Sequence, residues 1–187
     1  MSATTVETLP AAGIWNIDSA HSTVSFSVRH HAVATFRSSF TNITGAYDGE
    51  AGRLAGRVQV ADITLTGLDR LKGHILTPDF FAAEEHPTFS FESTKIITDG
   101  DGLTVEGDLT LRGVTQPVVA SGSVRGPLTV RHGDARVTNR LGVDLRTTID
   151  RREFDITFNN EVAEGILNLG WDVQIEAALE LHESVDS

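Results

Sequence analysis

The chain has 187 residues, 40% of them apolar and 22% charged, which suffices to bury a core and sets global disorder aside. A formal net charge of −11 with no basic stripe opposes binding to phosphate backbones or anionic membrane surfaces. With no cysteine there is no disulfide, thiolate metal site, iron–sulfur cluster or cysteine nucleophile, and with Met1 the sole methionine there is no soft Met-rich surface.

Residues 1–12 are small and polar, contain Pro10, and read as a loose tail. They have neither the basic start nor the apolar run of a signal peptide, so the chain as given is expected in the cytoplasm. Nothing approaches the roughly 20 apolar residues that span a bilayer as a helix. A single domain is expected over 13–182, with 183–187 a second loose tail. Strands are predicted at 13–30 (bent), 36–48, 53–65, 88–97, 103–111, 117–130, 135–149 and 170–182. Between the second and third, Asp48-Gly49 is turn chemistry. Leu68, Leu71, Ile75 and Leu76 fall at helical spacing and predict a short helix over 68–76, ending before Thr77-Pro78. A helical turn is also expected over His30–Thr35. Further turns are expected at 99–102, 112–113 and 132–134. The stretch 151–169 has no clear period and reads as further strand or loop.

Alternation is the dominant signal. Val24, Phe26 and Val28 alternate with Ser25, Ser27 and Arg29. Trp171, Val173, Ile175, Ala177, Leu179 and Leu181 alternate with polar residues or Ala178. In a strand the two sets face opposite ways, which describes antiparallel sheet with one buried face. A sandwich and a closed barrel both satisfy this pattern. An eight-stranded barrel is wide enough either to be filled by side chains or to hold one small ligand.

Four motifs, in order, carry a resemblance. The first is Trp15-Asn-Ile-Asp18-Ser-Ala-His21-Ser with the alternating run to His30. The second is Arg70-Leu-Lys-Gly-His74, then Asp79-Phe-Phe81 and His86-Pro-Thr-Phe-Ser-Phe91. The third is Gly107-Asp-Leu-Thr-Leu-Arg-Gly-Val-Thr115, and the fourth Ile149-Asp-Arg151-Arg-Glu-Phe154. Together they resemble the YceI-like family of polyisoprenoid-binding proteins. This chain has Asp155 where the family usually has Gly after the fourth motif.

The resemblance implies an all-β, eight-stranded antiparallel lipocalin-like barrel with one or two short helices. It also implies an isoprenoid lipid, isoprenoid quinone or similar amphiphile bound for transport, storage or sequestration. Homodimers and periplasmic members are common in the family. Val24, Phe26, Val28, Phe89, Phe91, Leu109, Trp171, Val173 and Ile175 would line the tail, though the same residues would equally fill a dry core. His21, Arg70, His74 and Arg151 are candidate head-group contacts, since Arg and His supply donors at a barrel mouth. Each also has a plainer reading: His21 braces a turn with Asp18, Arg70 pairs with Asp69 or lies solvated, His74 closes the helix, and Arg151 pairs with Glu153 or another carboxylate. No cofactor, resident metal or catalytic residue is expected. The rival is a metal-dependent or lipid-modifying enzyme in which Asp18, His21, His30 and His74 converge. There is no His-Glu-x-x-His, no Gly-x-Ser-x-Gly elbow and no phosphate-binding Gly-rich loop.

Overall fold

Alternating residues along the chain form a ladder of antiparallel strands in the computed structural model, which describes residues 8–65, 67–132 and 136–184. Of the tails expected at 1–12 and 183–187, residues 1–7 and 185–187 lie outside the described residues, as does the expected turn at Gly133-Asp134. The strands are β1 (Ile14–Ile17), β2 (Thr23–His30), β3 (Ala34–Phe40), β4 (Thr44–Asp48), β5 (Arg53–Gln59), β6 (Thr88–Asp99), β7 (Gly102–Leu111), β8 (Val114–His132), β9 (Arg136–Asp150), β10 (Glu161–Ala163), β11 (Ile166–Leu167) and β12 (Leu169–Glu183), with one helix, α1 (Asp69–Ile75).

The sheet runs β1-β4-β5-β6-β7-β8-β9-β12-β2-β3, and β1 also pairs with β12. That pairing closes the ring. β1 and β2 together line one edge of β12: Ile17 faces Leu181 and Ala177 faces Val24. They are one bent stave, broken at 18–22, where the Asp18 N–H donates to the Glu180 carbonyl (2.8 Å) and the His21 N–H to the Asp18 carbonyl (3.1 Å). β3 and β4 form a second bent stave, broken at 41–43. Counted this way the barrel has eight staves, all antiparallel, and the outer edge of β3 meets the rest of the ring through the Phe40↔Ile63 bridge.

Three local expectations are corrected. The helical turn expected at His30–Thr35 is a tight hairpin turn: His31 and Ala32 have φ of 51° and 60°, and the Val33 N–H donates to the His30 carbonyl at 3.2 Å. Pairing of β2 with β3 reaches His30↔Ala34 and leaves no room for a helix. The strand expected to run to residue 65 stops at Gln59, where a 3-10 turn (Val60–Asp62) leaves the ladder. The Val60 N–H there meets the carbonyl of Pro87, a residue with no N–H of its own to offer a ladder. The stretch 151–169 holds a 3-10 turn (Arg151–Phe154) and the small β10–β11 hairpin. Asp155 takes φ 57°, the left-handed conformation that Gly would adopt there and that Asp tolerates.

One part of the core packs at the end of the barrel where β1 meets β4. Trp15, Tyr47, Leu103, Val105, Val124, Leu141, Val143 and Leu181 pack there, none more than 5% exposed, and Phe154, Val60 and Ile63 are buried elsewhere in the same cluster. Residues 8–12 run along the same molecule. Leu9 packs on the core, the Thr8 N–H donates to the Gly126 carbonyl (3.2 Å), and the Tyr47 hydroxyl donates to the Pro10 carbonyl (2.9 Å). Among the described residues no helix is long and apolar enough to cross a membrane.

Candidate functional site

The same alternation that buries residues completely at one end leaves them half-buried toward the other. Val24 and Phe26 on β2, and Val173, Ile175 and Ala177 on β12, point inward yet keep accessible surface. Inward apolar side chains retain surface only if the space before them is not filled. That space is a cavity of about 350 Å³, within the size class of small-ligand sites.

Eight of the nine residues expected to line a tail border this cavity: Val24, Phe26 and Val28 from β2, Phe89 and Phe91 from β6, Leu109 from β7, and Val173 and Ile175 from β12. Trp171 does not. The β12–β2 register shifts between Leu169 and Val173, and the Trp171 ring lies against the Arg151 guanidinium at 4.4 Å and that of Arg152 at 4.9 Å. Lining phenylalanines that alternation did not single out are Phe36, Phe40, Phe80, Phe81 and Phe158. Phe26 and Phe81 lie 6.0 Å apart and Phe81 and Phe89 5.0 Å apart, both edge-on, so the wall is aromatic on this side. Phe36 and Phe40 sit at period-two spacing in β3, and that signal was available. Phe158 lies in irregular chain and had none.

Helix α1 lies beside the cavity and presents Leu71, His74 and Ile75 to it, at the i, i+3 and i+4 positions of one face. Leu71 and His74 line the cavity and are also exposed, which locates its opening beside α1. The His74 ring meets Phe80 (5.1 Å) and Phe158 (5.3 Å) edge-on, and its Nε2 is 3.1 Å from an Asp79 carboxylate oxygen. Arg70 sits on the outward side of α1, exposed and away from the lining, because the helix spends its inward stripe on Leu71 and its neighbours. His21 is also outside. It lies at the β1–β2 bend with its side chain 64% exposed, its Nδ1 3.1 Å from Asp18. Of the four head-group candidates, the fold therefore brings two, His74 and Arg151, to the cavity, with His30 and Asn168 as further polar lining.

Arg151 is 4% exposed. Its Nε donates to the Gly170 carbonyl (2.9 Å), and its Nη1 to the carbonyls of Ile156 (2.7 Å) and Phe158 (2.9 Å). The expected pairing with Glu153 or another carboxylate does not occur among the described residues. The adjacent Asp150 binds Arg152 instead, and that hydrogen bond holds the Asp150 carboxyl below its ordinary pKa. Burial lowers the Arg151 pKa to about 10, which leaves it cationic near neutrality.

The expected convergence of Asp18, His21, His30 and His74 is not found. His30 and His74 line the cavity, whereas Asp18 and His21 gather with Glu180 elsewhere, their ligand atoms within 4.8 Å of one another. Arg140 already bridges that cluster, 2.8 Å from Asp18 and 3.2 Å from Glu180, so it forms an ion-pair network.

Residues 15–181 match the YceI-like domain model. A UPF0312 protein of Staphylococcus aureus (strain bovine RF122 / ET3-1) is 29% identical over 170 residues, covering 89% of this chain and 95% of its own. A UPF0312 protein of Ectopseudomonas mendocina (strain ymp) is 30% identical over 159 residues, covering 80% and 81%. Among solved structures, a polyisoprenoid binding domain from Saccharophagus degradans superposes with a TM-score of 0.69 at 14% identity, covering 91% of this chain and 98% of that one. BcnA of Burkholderia cenocepacia superposes with a TM-score of 0.68 at 21% identity, covering 88% and 98%.

Proposed function

The chain belongs to the YceI-like family, as the match over residues 15–181 shows, and from that premise we propose that its barrel binds a long apolar amphiphile, an isoprenoid lipid or isoprenoid quinone, for transport, storage or sequestration. The observation that carries this reading is the unfilled apolar space of about 350 Å³ inside a closed barrel. Packed interiors leave few voids of that size, and an empty one forfeits dispersion contacts along its whole wall. A hydrocarbon tail would recover them, with a transfer gain of roughly 25 cal/mol per Å² of apolar surface. The likeness to a polyisoprenoid binding domain supports the same class of ligand.

A binding module fits the site better than an enzyme. The polar lining is sparse, and His74 is engaged with Asp79. The acid–histidine cluster that would serve a metal enzyme is away from the cavity, and both of its carboxylates are paired with Arg140.

The test is to purify the protein from a bacterial host without detergent, extract it with organic solvent and identify bound lipids by mass spectrometry. Near-stoichiometric prenyl lipid is expected. An empty extract, with no uptake of added prenyl lipids or quinones, would overturn the reading.

A further inference from the structure

A guanidinium carries five N–H donors. In Arg151 one on Nε and two on Nη1 reach the three carbonyls of Gly170, Ile156 and Phe158. Nη2 is buried and has no hydrogen-bond partner among the described residues. The Trp171 ring covers one face of the guanidinium, and Arg151 borders the cavity. A buried cation is ordinarily paired, and a buried donor is ordinarily satisfied. Arg151 is neither paired with a carboxylate nor fully satisfied among the described residues, and it borders the cavity.

We propose that Arg151 is an internal docking point for the polar end of the bound amphiphile, and that this end is a compact oxygen acceptor with at most one negative charge, a carboxylate or a carbonyl, not a diphosphate. This rests on the lipid-binding reading above and narrows its ligand class. Two N–H groups on one nitrogen match one or two oxygens of a small head. A carboxylate would also supply the charge that the protein withholds. A diphosphate would bring two or three charges into an apolar space with one unpaired cation, and its excess charge would be uncompensated. The other arginines that border the cavity do so from exposed positions and are engaged: Arg57 donates to the Thr44 hydroxyl (3.2 Å) and Arg146 lies 3.4 Å from Glu176. The head thus sits beneath the surface at Arg151, while His21 and Arg70 stay outside.

The experiment compares ligands that share one prenyl tail and differ in the head: hydrocarbon, methyl ketone, carboxylic acid and diphosphate. Delipidated protein is titrated with each, and binding is read from tryptophan fluorescence, since Trp171 lies on Arg151. The acid should bind about tenfold or more tighter than the hydrocarbon and the diphosphate, the scale of one charge-assisted hydrogen bond. The ketone carbonyl stretch should move to lower frequency in the protein than in detergent. Arg151→Gln should lower acid affinity about tenfold and narrow its gap to the hydrocarbon. Arg151 also holds three backbone carbonyls, so that variant risks misfolding. The ligand series and the infrared shift use the unaltered protein and stand without it. If the diphosphate binds tightest, if all heads bind alike, or if the carbonyl stretch is unmoved, the inference fails while the lipid reading survives. If even the tails fail to bind, the lipid reading itself falls.

Discussion

Two charged residues show how neighbours decide a side chain's role. Asp18 titrates at about 2, well below its ordinary 3.8, first because of its hydrogen bond with His21 and then because of Arg140, against the opposing effect of burial. A carboxyl with a depressed folded pKa contributes stability above its unfolded value and loses it as pH falls through the folded one. Asp18→Asn should therefore cost about 1 kcal/mol at neutral pH, reduced from the full linkage value because His21 is mostly exposed. The gap between variant and parent should close between pH 3.8 and about 2. Urea unfolding of both proteins across that range checks this, and a gap independent of pH would refute it. The Asp18–His21 contact was legible from a spacing of three. Arg140, 122 residues from Asp18, was not. Arg151 was legible as a candidate from its motif, but two of its carbonyl partners, Ile156 and Phe158, lie in irregular chain that no period announces.

At the scale of elements, the β2–β3 hairpin and α1 shape the mouth of the cavity. The hairpin turns through His31 and Ala32, both at positive φ, with the His31 ring stacked on that of His30 at 3.8 Å. A β-carbon in the left-handed region costs about 1–2 kcal/mol, part of which Gly gives back through the entropy of the unfolded chain. Ala32→Gly should thus raise the unfolding free energy by about 0.5–1 kcal/mol. Thermal unfolding measures it, and a lower midpoint would mean that the turn carries no such strain. The sequence period placed strands and helix well, and α1 lies within one residue of its predicted limits. It misjudged 30–35 and 60–65, because strand ends are set by where a partner stops offering hydrogen bonds.

At the scale of the whole molecule, closure and hollowness go together. The barrel closes because β12 is long enough to pair with both halves of a bent stave. One end fills with Trp15, Tyr47 and their neighbours, and the other does not. A ligand that enters this space binds only the folded chain and stabilises it by mass action. Delipidated protein should therefore melt lower than protein as purified. Restoring the ligand at a hundred times its dissociation constant should return about 2.7 kcal/mol. Calorimetry at fixed protein concentration checks this, and identical midpoints would argue for a dry, self-sufficient barrel.

The sequence alone determined the class of fold, because the period of a strand is local: each residue's face follows from its neighbour's. It also picked out eight strand residues that border the cavity, since inward positions of alternating strands are known before their partners are. The four motifs pointed to the eight-stranded barrel that the structure shows, whereas alternation by itself left sandwich and barrel open, and only the tertiary structure decided that the barrel is hollow. It alone separated His74 and Arg151 from His21 and Arg70, because distance from a cavity is a property of packing. It alone withdrew Trp171 from the wall, through a shift in register at the start of β12 that leaves no mark on hydrophobic spacing.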